Sequence, residues 1–319
     1  MSLAVALAMQ VAGRPAAAAP FAYITNQGSD NVSVIDLAAL RVVATVPVGA
    51  GAAPAGVVAA SARGEVFVAN AAAHTVTVLD MAQQQARGSF PAGQGAVGLD
   101  ASADGTRLFV ADWFGQQLRV FDSARRAEIA RVPLGRAPAG VAALPDGSAA
   151  WVAERDEDRV ALVDVASQRV LARVAVGTHP FALLLDAPRS RLYALNVESD
   201  DLSVVDTASR RVIATLRTGR APYGAALADG GRRLYVTNQH AESVSVFDAE
   251  SLALLQTLEG FGYPEGIAAY GERVYVVNWM DDAVSVLDAA SGRRLAEIPV
   301  GRNPRAFGAF IGRSGPVAP

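Results

Sequence analysis

The sequence of 319 residues has no cysteine, no lysine and only three histidines. Without cysteine there is no disulfide, thiol nucleophile, thiolate-bound zinc, iron–sulfur cluster or covalent c-type haem attachment. Without lysine there is no Schiff-base chemistry and no phosphate-loop lysine. His74, His179 and His240 lack the spacing of a zinc-binding helix motif, and neither a nucleophile elbow nor a glycine-rich phosphate loop occurs. No catalytic residue and no metal ligand is therefore assigned. Charge is sparse as well: 18% of residues are charged and the net charge is −3, which supplies no general attraction to nucleic acid. Helical periodicity is missing too, since no segment sustains an apolar repeat of three to four residues.

Apolar material is what the chain does have, at 51% of residues, enough to bury a large core and to exclude disorder. Its first long stretch, Leu3 to Ala12, is too short to span a bilayer but suits a secretory signal, with Ala16-Ala17-Ala18 as a small-residue cleavage site. Residues 1–20 are thus expected to be a signal peptide, 21–311 a single domain and 312–319 a tail, in a periplasmic or secreted protein; a plain Ala-rich N-terminal tail is the alternative. The mature chain is expected to have no membrane span.

Internal repetition dominates the rest. A block ending in Val-x-Val-x-Asp recurs with its acid at Asp36, Asp80, Asp122, Asp164, Asp206, Asp248 and Asp288, at spacings of 44, 42, 42, 42, 42 and 40. Ten residues before each acid lies Asn26, Asn70, Asp112, Glu154, Asn196, Asn238 or Asn278. A third landmark, Pro-x-Gly or Pro-x-Ala, starts at Pro54, Pro138, Pro180, Pro222, Pro264 and Pro304, with Ala96 in the remaining place. Each unit reads as four short Val-rich strands bounded by Gly, Asp, Ser and Pro, as in 139–144, 150–153, 160–163 and 170–176. Seven such units predict an all-β fold, a seven-bladed β-propeller with four antiparallel strands per blade. The first unit lacks its first strand, and Arg305 to Ile311 is the spare one, so a C-terminal strand is expected to complete the N-terminal blade and close the ring.

The second strands read Tyr-Ile-Thr-Asn, Phe-Val-Ala-Asn, Phe-Val-Ala-Asp, Trp-Val-Ala-Glu, Tyr-Ala-Leu-Asn, Tyr-Val-Thr-Asn and Tyr-Val-Val-Asn. With the Val-Ser-Val-Ile-Asp type block that follows each, residues 21–311 resemble the YVTN-repeat β-propellers, the YncE-like and surface-layer-like exported proteins of bacteria. The resemblance implies a fold and an exported setting, and no reaction, because function on such a fold belongs to grafted sites.

The repeated residues are architecture. An acid at the end of every third strand is expected to accept hydrogen bonds from the following turn, and the Asn landmarks to bond their own turn. The unrepeated residues are the candidates. Alternating strand directions bring the loops after the Asn landmark and the residues around the Pro landmark to one rim of the channel. There the chain places Trp113, Arg155, His179, Phe181, Tyr223, His240, Glu265, Trp279 and Arg305. Aromatic walls with a few charges suit an organic anion or a partner's side chain, so these nine residues are the expected ligand-binding set. As alternatives, the aromatics simply plug the funnel, and Glu265–Arg305 is a salt bridge between neighbouring blades. The acidic loops 154–158, 198–201 and 281–282 have oxygen ligands suited to calcium but serve equally as solvated surface.

The leading expectation is a non-catalytic exported scaffold that binds a protein partner or a small organic ligand at the loop face. An accessory or cofactor-binding subunit of a periplasmic redox system is the first alternative, its cofactor unknown. A propeller lyase or lactonase, with Glu265, His179 or His240 as acid–base groups, is the second.

Overall fold

In the computed structural model, residues 20–313 are described. Residues 1–19 of the expected signal peptide and 314–319 of the tail lie outside them, while Pro20 already belongs to the first strand. Seven four-stranded antiparallel sheets follow one another, each running from the channel outward in chain order. The fourth blade is representative: Pro138–Ala143, Ala149–Glu154, Arg159–Asp164 and Arg169–Ala175. The exception is the first blade, where Pro20–Asn26, Asn31–Asp36 and Arg41–Pro47 are joined on the channel side by the C-terminal Ile311–Arg313.

That closing strand is shorter and later than the expected Arg305–Ile311. Ala306 has φ 46° and Gly308 φ 119°, and these left-handed residues break the regular pairing. The segment is nonetheless tied on three sides. Arg305 N–H donates to Thr25 O at 2.8 Å, Val57 N–H to Phe307 O at 2.8 Å, and Gly266 N–H to Arg305 O at 3.0 Å. It therefore joins the first, second and seventh blades at once.

The core lies between blades. Each second strand contributes one aromatic to it: Tyr23, Phe67, Phe109, Trp151, Tyr193, Tyr235 and Tyr275 are all at 1% exposure or less. Burying each such ring contributes about 2–3 kcal/mol. The third landmark has a packing cause. A Cβ on Gly56, Gly98, Gly140 or Gly224 would lie 2.5 Å or less from a backbone carbonyl of the next blade's innermost strand, and one on Gly266 equally close to Arg305 O and Ala306 O of the closing segment. Neighbouring innermost strands approach so closely that only a hydrogen fits.

The acids of the Val-x-Val-x-Asp block cap their turns as expected. Asp36 accepts from Ala38 and Ala39 N–H at 2.8 and 2.9 Å, Asp248 from Ser251 N–H at 2.7 Å, and Asp288 from Ser291 N–H at 2.8 Å. The Asn landmarks act differently from expectation. Asn196 Nδ2 donates to Asp201 Oδ1 and to Ser203 Oγ at 2.7 and 2.9 Å, seven residues away on the adjacent strand. Asn26, Asn70, Asn238 and Asn278 make the same bond to Ser33, Thr77, Ser245 and Ser285. Turn strain falls four residues after the landmark instead. Asp30, His74, Gln116, Asp158, Asp200, Glu242 and Asp282 all have φ between 50 and 58°. The Asn is a buried cross-strand clamp because the loop places its left-handed residue elsewhere.

Candidate functional site

The loop rim is built from two repeated connections on a rigid ring. In four of the seven junctions the left-handed residue is an Asp that reaches the next blade. Asp30, Asp158, Asp200 and Asp282 accept from the N–H of Ala53, His179, Ala221 and Asn303 at 2.9, 2.9, 2.8 and 2.7 Å. Each recipient immediately precedes a Pro landmark, so these carboxylates fix where the rim side chains start. Other acids of the three acidic loops are similarly engaged: Glu154 with Arg159 and Arg173, Asp281 with Gly262 N–H. Among the described residues no group of three or more His, Asp or Glu is placed to hold a metal ion.

Five of the nine expected residues come together. Trp113, Arg155, Phe181, Tyr223 and His240 line one cavity of about 590 Å³ spanning the third to sixth blades. The Arg155 guanidinium lies 5.5 Å from the Trp113 ring, within cation–π range. Trp113 and Phe181 are 6.3 Å apart between ring centroids, and Phe181 stacks on Tyr223 at 4.6 Å. The same cavity takes in Glu198, Asp200, Arg220 and Gln239. Arg220 donates through Nη2 to His240 O at 2.8 Å and has no carboxylate within 4.0 Å among the described residues.

Phe307 completes the floor. Its ring is 5.0 Å from Phe181 and 6.3 Å from Tyr223, and it lines a second cavity beneath them. Phe181 and Tyr223 line the first, upper chamber and Phe307 the second, lower one. Phe181 and Tyr223 give the upper pocket an apolar wall.

Glu265 and Arg305 form the neighbouring-blade bridge. Arg305 Nε donates to Glu265 Oε2 at 2.6 Å, and its Nη2 donates to Tyr223 Oη. Gln239 Nε2 donates to Glu265 Oε1 at 2.8 Å. Burial pushes the Glu265 carboxyl up, against the pull of Arg305 and Gln239. Arg305 is desolvated too, yet the oxygens of Tyr223 and Glu265 drive its titration upward and hold it cationic. Burial likewise raises the Tyr223 phenol, helped by the Glu265 charge. This bridge stands behind the Tyr223 wall of the pocket and holds it.

Trp279 and His179 sit beside the cavity. Trp279 packs on Tyr263 at 5.6 Å, and Tyr263 Oη meets His240 Nε2 at 3.1 Å. His179 Nδ1 approaches Glu198 Oε1 at 2.5 Å. Tyr263, Arg220, Phe307 and Gln239 were not among the sequence candidates. Tyr263 and Arg220 directly precede and closely precede Pro landmarks, so the landmark spacing contained a signal for them. Phe114 and Met280 were also missed; each follows a rim Trp, and they are 66% and 57% exposed.

The repeat and the ring together define a seven-bladed β-propeller. Residues 6–149 match the family model described as YNCE-like beta-propeller, and the same repeat continues through the remaining blades. No curated protein matches the chain. Among solved structures, Kuenenia stuttgartiensis hydrazine synthase is similar with a TM-score of 0.72 and 18% identity, over 80% of this chain and 89% of that one. A functionally unknown protein from Desulfotomaculum acetoxidans aligns with a TM-score of 0.77 and 13% identity, over 93% and 99%. A catalytically inactive virginiamycin B lyase from Staphylococcus aureus, with quinupristin, gives 0.67 and 14%, over 77% and 84%. At these identities the likeness is one of fold. No helix among the described residues is long and apolar enough to cross a membrane.

Proposed function

We propose that the protein is an exported, non-catalytic propeller that recognises an anionic aromatic or apolar group in its loop-face pocket, presented by a small organic ligand or a protein partner. The supporting observation is the cavity of about 590 Å³ in which a continuous Trp113–Phe181–Tyr223 wall meets Arg155 and the carboxylate-free Arg220. Aromatic walls supply apolar contact, and guanidinium forks supply oriented bonds to a carboxylate or phosphate. Exposed Phe114 and Met280 on the same loops extend the surface a protein partner would cover. Glu265 is engaged by Arg305 and Gln239, which favours binding over acid–base turnover by that carboxyl.

The test is native mass spectrometry and cross-linking of the protein purified from a bacterial periplasm. A co-purifying mass or a loop-face cross-link that disappears in both W113A and R220A, with unchanged circular dichroism, supports the proposal. Retention of the mass or cross-link in both variants, or absence of both from the wild type, overturns it.

A further inference from the structure

The lower chamber, on the other side of the Phe181–Tyr223–Phe307 floor, has a different chemistry. Its volume is about 410 Å³, and it is lined by the lower halves of the innermost strands, with Pro145 and Ala187 of the turns on the opposite face. Leu99, Val141, Leu184, Leu227, Ile267 and Phe307 make its walls apolar. Asp100 is the one ionisable side chain among its lining residues.

The position of Asp100 breaks the repeat. It pairs with Phe109, the aromatic of its second strand. The residues paired with the corresponding aromatics are Val58, Ala142, Leu184, Ala226 and Ala268. Five blades thus put an aliphatic side chain where the third puts a carboxylate. Asp100 accepts Ala143 N–H through Oδ2 at 2.9 Å and Ala101 N–H through Oδ1 at 2.8 Å. Among the described residues no arginine or histidine bonds it, whereas buried Glu65, Glu154 and Glu265 each have at least one guanidinium partner. A carboxylate has lone pairs for about four donors, and these two bonds use half of that capacity.

We infer that the lower chamber is a second binding site, separate from the loop-face pocket, for an organic cation with an apolar body, the ammonium group meeting Asp100. The apolar lining accepts the body, and a desolvated carboxylate without a cationic partner is the complement of a buried ammonium. An alcohol of the same shape lacks the charge, and a carboxylate of the same shape is repelled. Burial pushes Asp100 up to about 6, against the two backbone N–H bonds that lower it. Cation binding requires the ionised form, so affinity rises as the pH passes upward through that region and binding below it releases a proton. Among the described residues no other titratable side chain lines the chamber, so Asp100 governs this dependence.

The experiment is isothermal titration of the full chain with octylamine, octanol and octanoate at about pH 7.5 and about pH 5. Octylamine is expected to bind at least about tenfold more tightly than either analogue at the higher pH, a difference of about 1.4 kcal/mol. That preference is expected to shrink at the lower pH and to vanish in D100N. L184W, which fills the chamber while leaving Asp100 in place, is expected to abolish binding of octylamine and keeps the inference testable if D100N folds poorly. Equal binding of the amine and the alcohol, a cation preference surviving in D100N, unaltered binding in L184W, or no binding of octylamine to the wild type would each overturn it.

Discussion

Replacing Arg305 by Met removes the guanidinium from the buried bridge and leaves Glu265, only 2% exposed, facing Gln239 alone. Breaking a buried ion pair on one side costs about 3–5 kcal/mol, because the surviving charge remains desolvated. Arg305 is itself 23% exposed, so water partly relieves the loss and the lower end, about 3 kcal/mol, is expected near pH 7. The cost has a pH signature. Burial already raises Glu265, and without Arg305 its chief opposing pull is gone. A carboxyl whose folded titration lies above its unfolded one binds more protons when folded, so stability is lost as pH rises between the two. The deficit of R305M relative to wild type is therefore largest near neutrality and shrinks toward about pH 4.5. Urea denaturation at both values, on wild type, R305M and the E265Q/R305M double variant, reads it directly. The double variant has no charge to strand and is expected to recover most of the loss. R305M with an equal deficit at both pH values, or a double variant as unstable as the single one, would refute the reasoning.

Four further outcomes are expected. W151A removes the largest fully buried side chain and is expected to cost about 3–5 kcal/mol in denaturant midpoint analysis. G140A places a Cβ 2.3 Å from Phe181 O, and the backbone shift it forces is expected to destabilise by about 1–3 kcal/mol on the same assay. The turn caps hold Asp206, Asp248 and Asp288 below the ordinary carboxylate range, through side-chain and backbone bonds from Ser209, Ser251 and Ser291. Their stabilisation is present above the unfolded titration and lost as pH falls through the folded one, so D248N is expected to flatten the acid limb of a stability–pH curve. Deleting residues 305–319 frees the channel edge of the first blade and the contacts to the second and seventh, and is expected to abolish a single cooperative transition in calorimetry.

Blade count, strand order within a blade, ring closure and turn caps were all legible in the sequence. Blades and caps repeat at a near-constant spacing enforced by local hydrogen bonds, as between Asp288 and Ser291, while closure was legible from a strand lacking at one end and spare at the other. The Asn landmarks were visible but their partner was not, although Ser or Thr stands seven residues after all five. A cross-strand bond looks the same in sequence as a turn bond until the register is known. The rim set was only partly legible for a related reason. The repeat says which positions share a face, and it placed Trp113, Arg155, Phe181, Tyr223 and His240 there together.

The tertiary structure alone decided which rim residues touch. Glu265 and Arg305 are forty residues apart in adjoining blades, and only ring closure turns them into a buried pair behind Tyr223. Phe307 became the channel floor because the closing segment bends at Ala306 and Gly308 rather than continuing as a strand. Asp100 was hidden in the sequence as one more residue of an Ala- and Gly-rich strand. Its isolation in an apolar chamber depends on what five other blades present opposite it. Local spacing sets the blade, since strand pairing and turn chemistry act over a few residues. Contacts between blades join residues tens to hundreds of positions apart, and those contacts give the two chambers their chemistry.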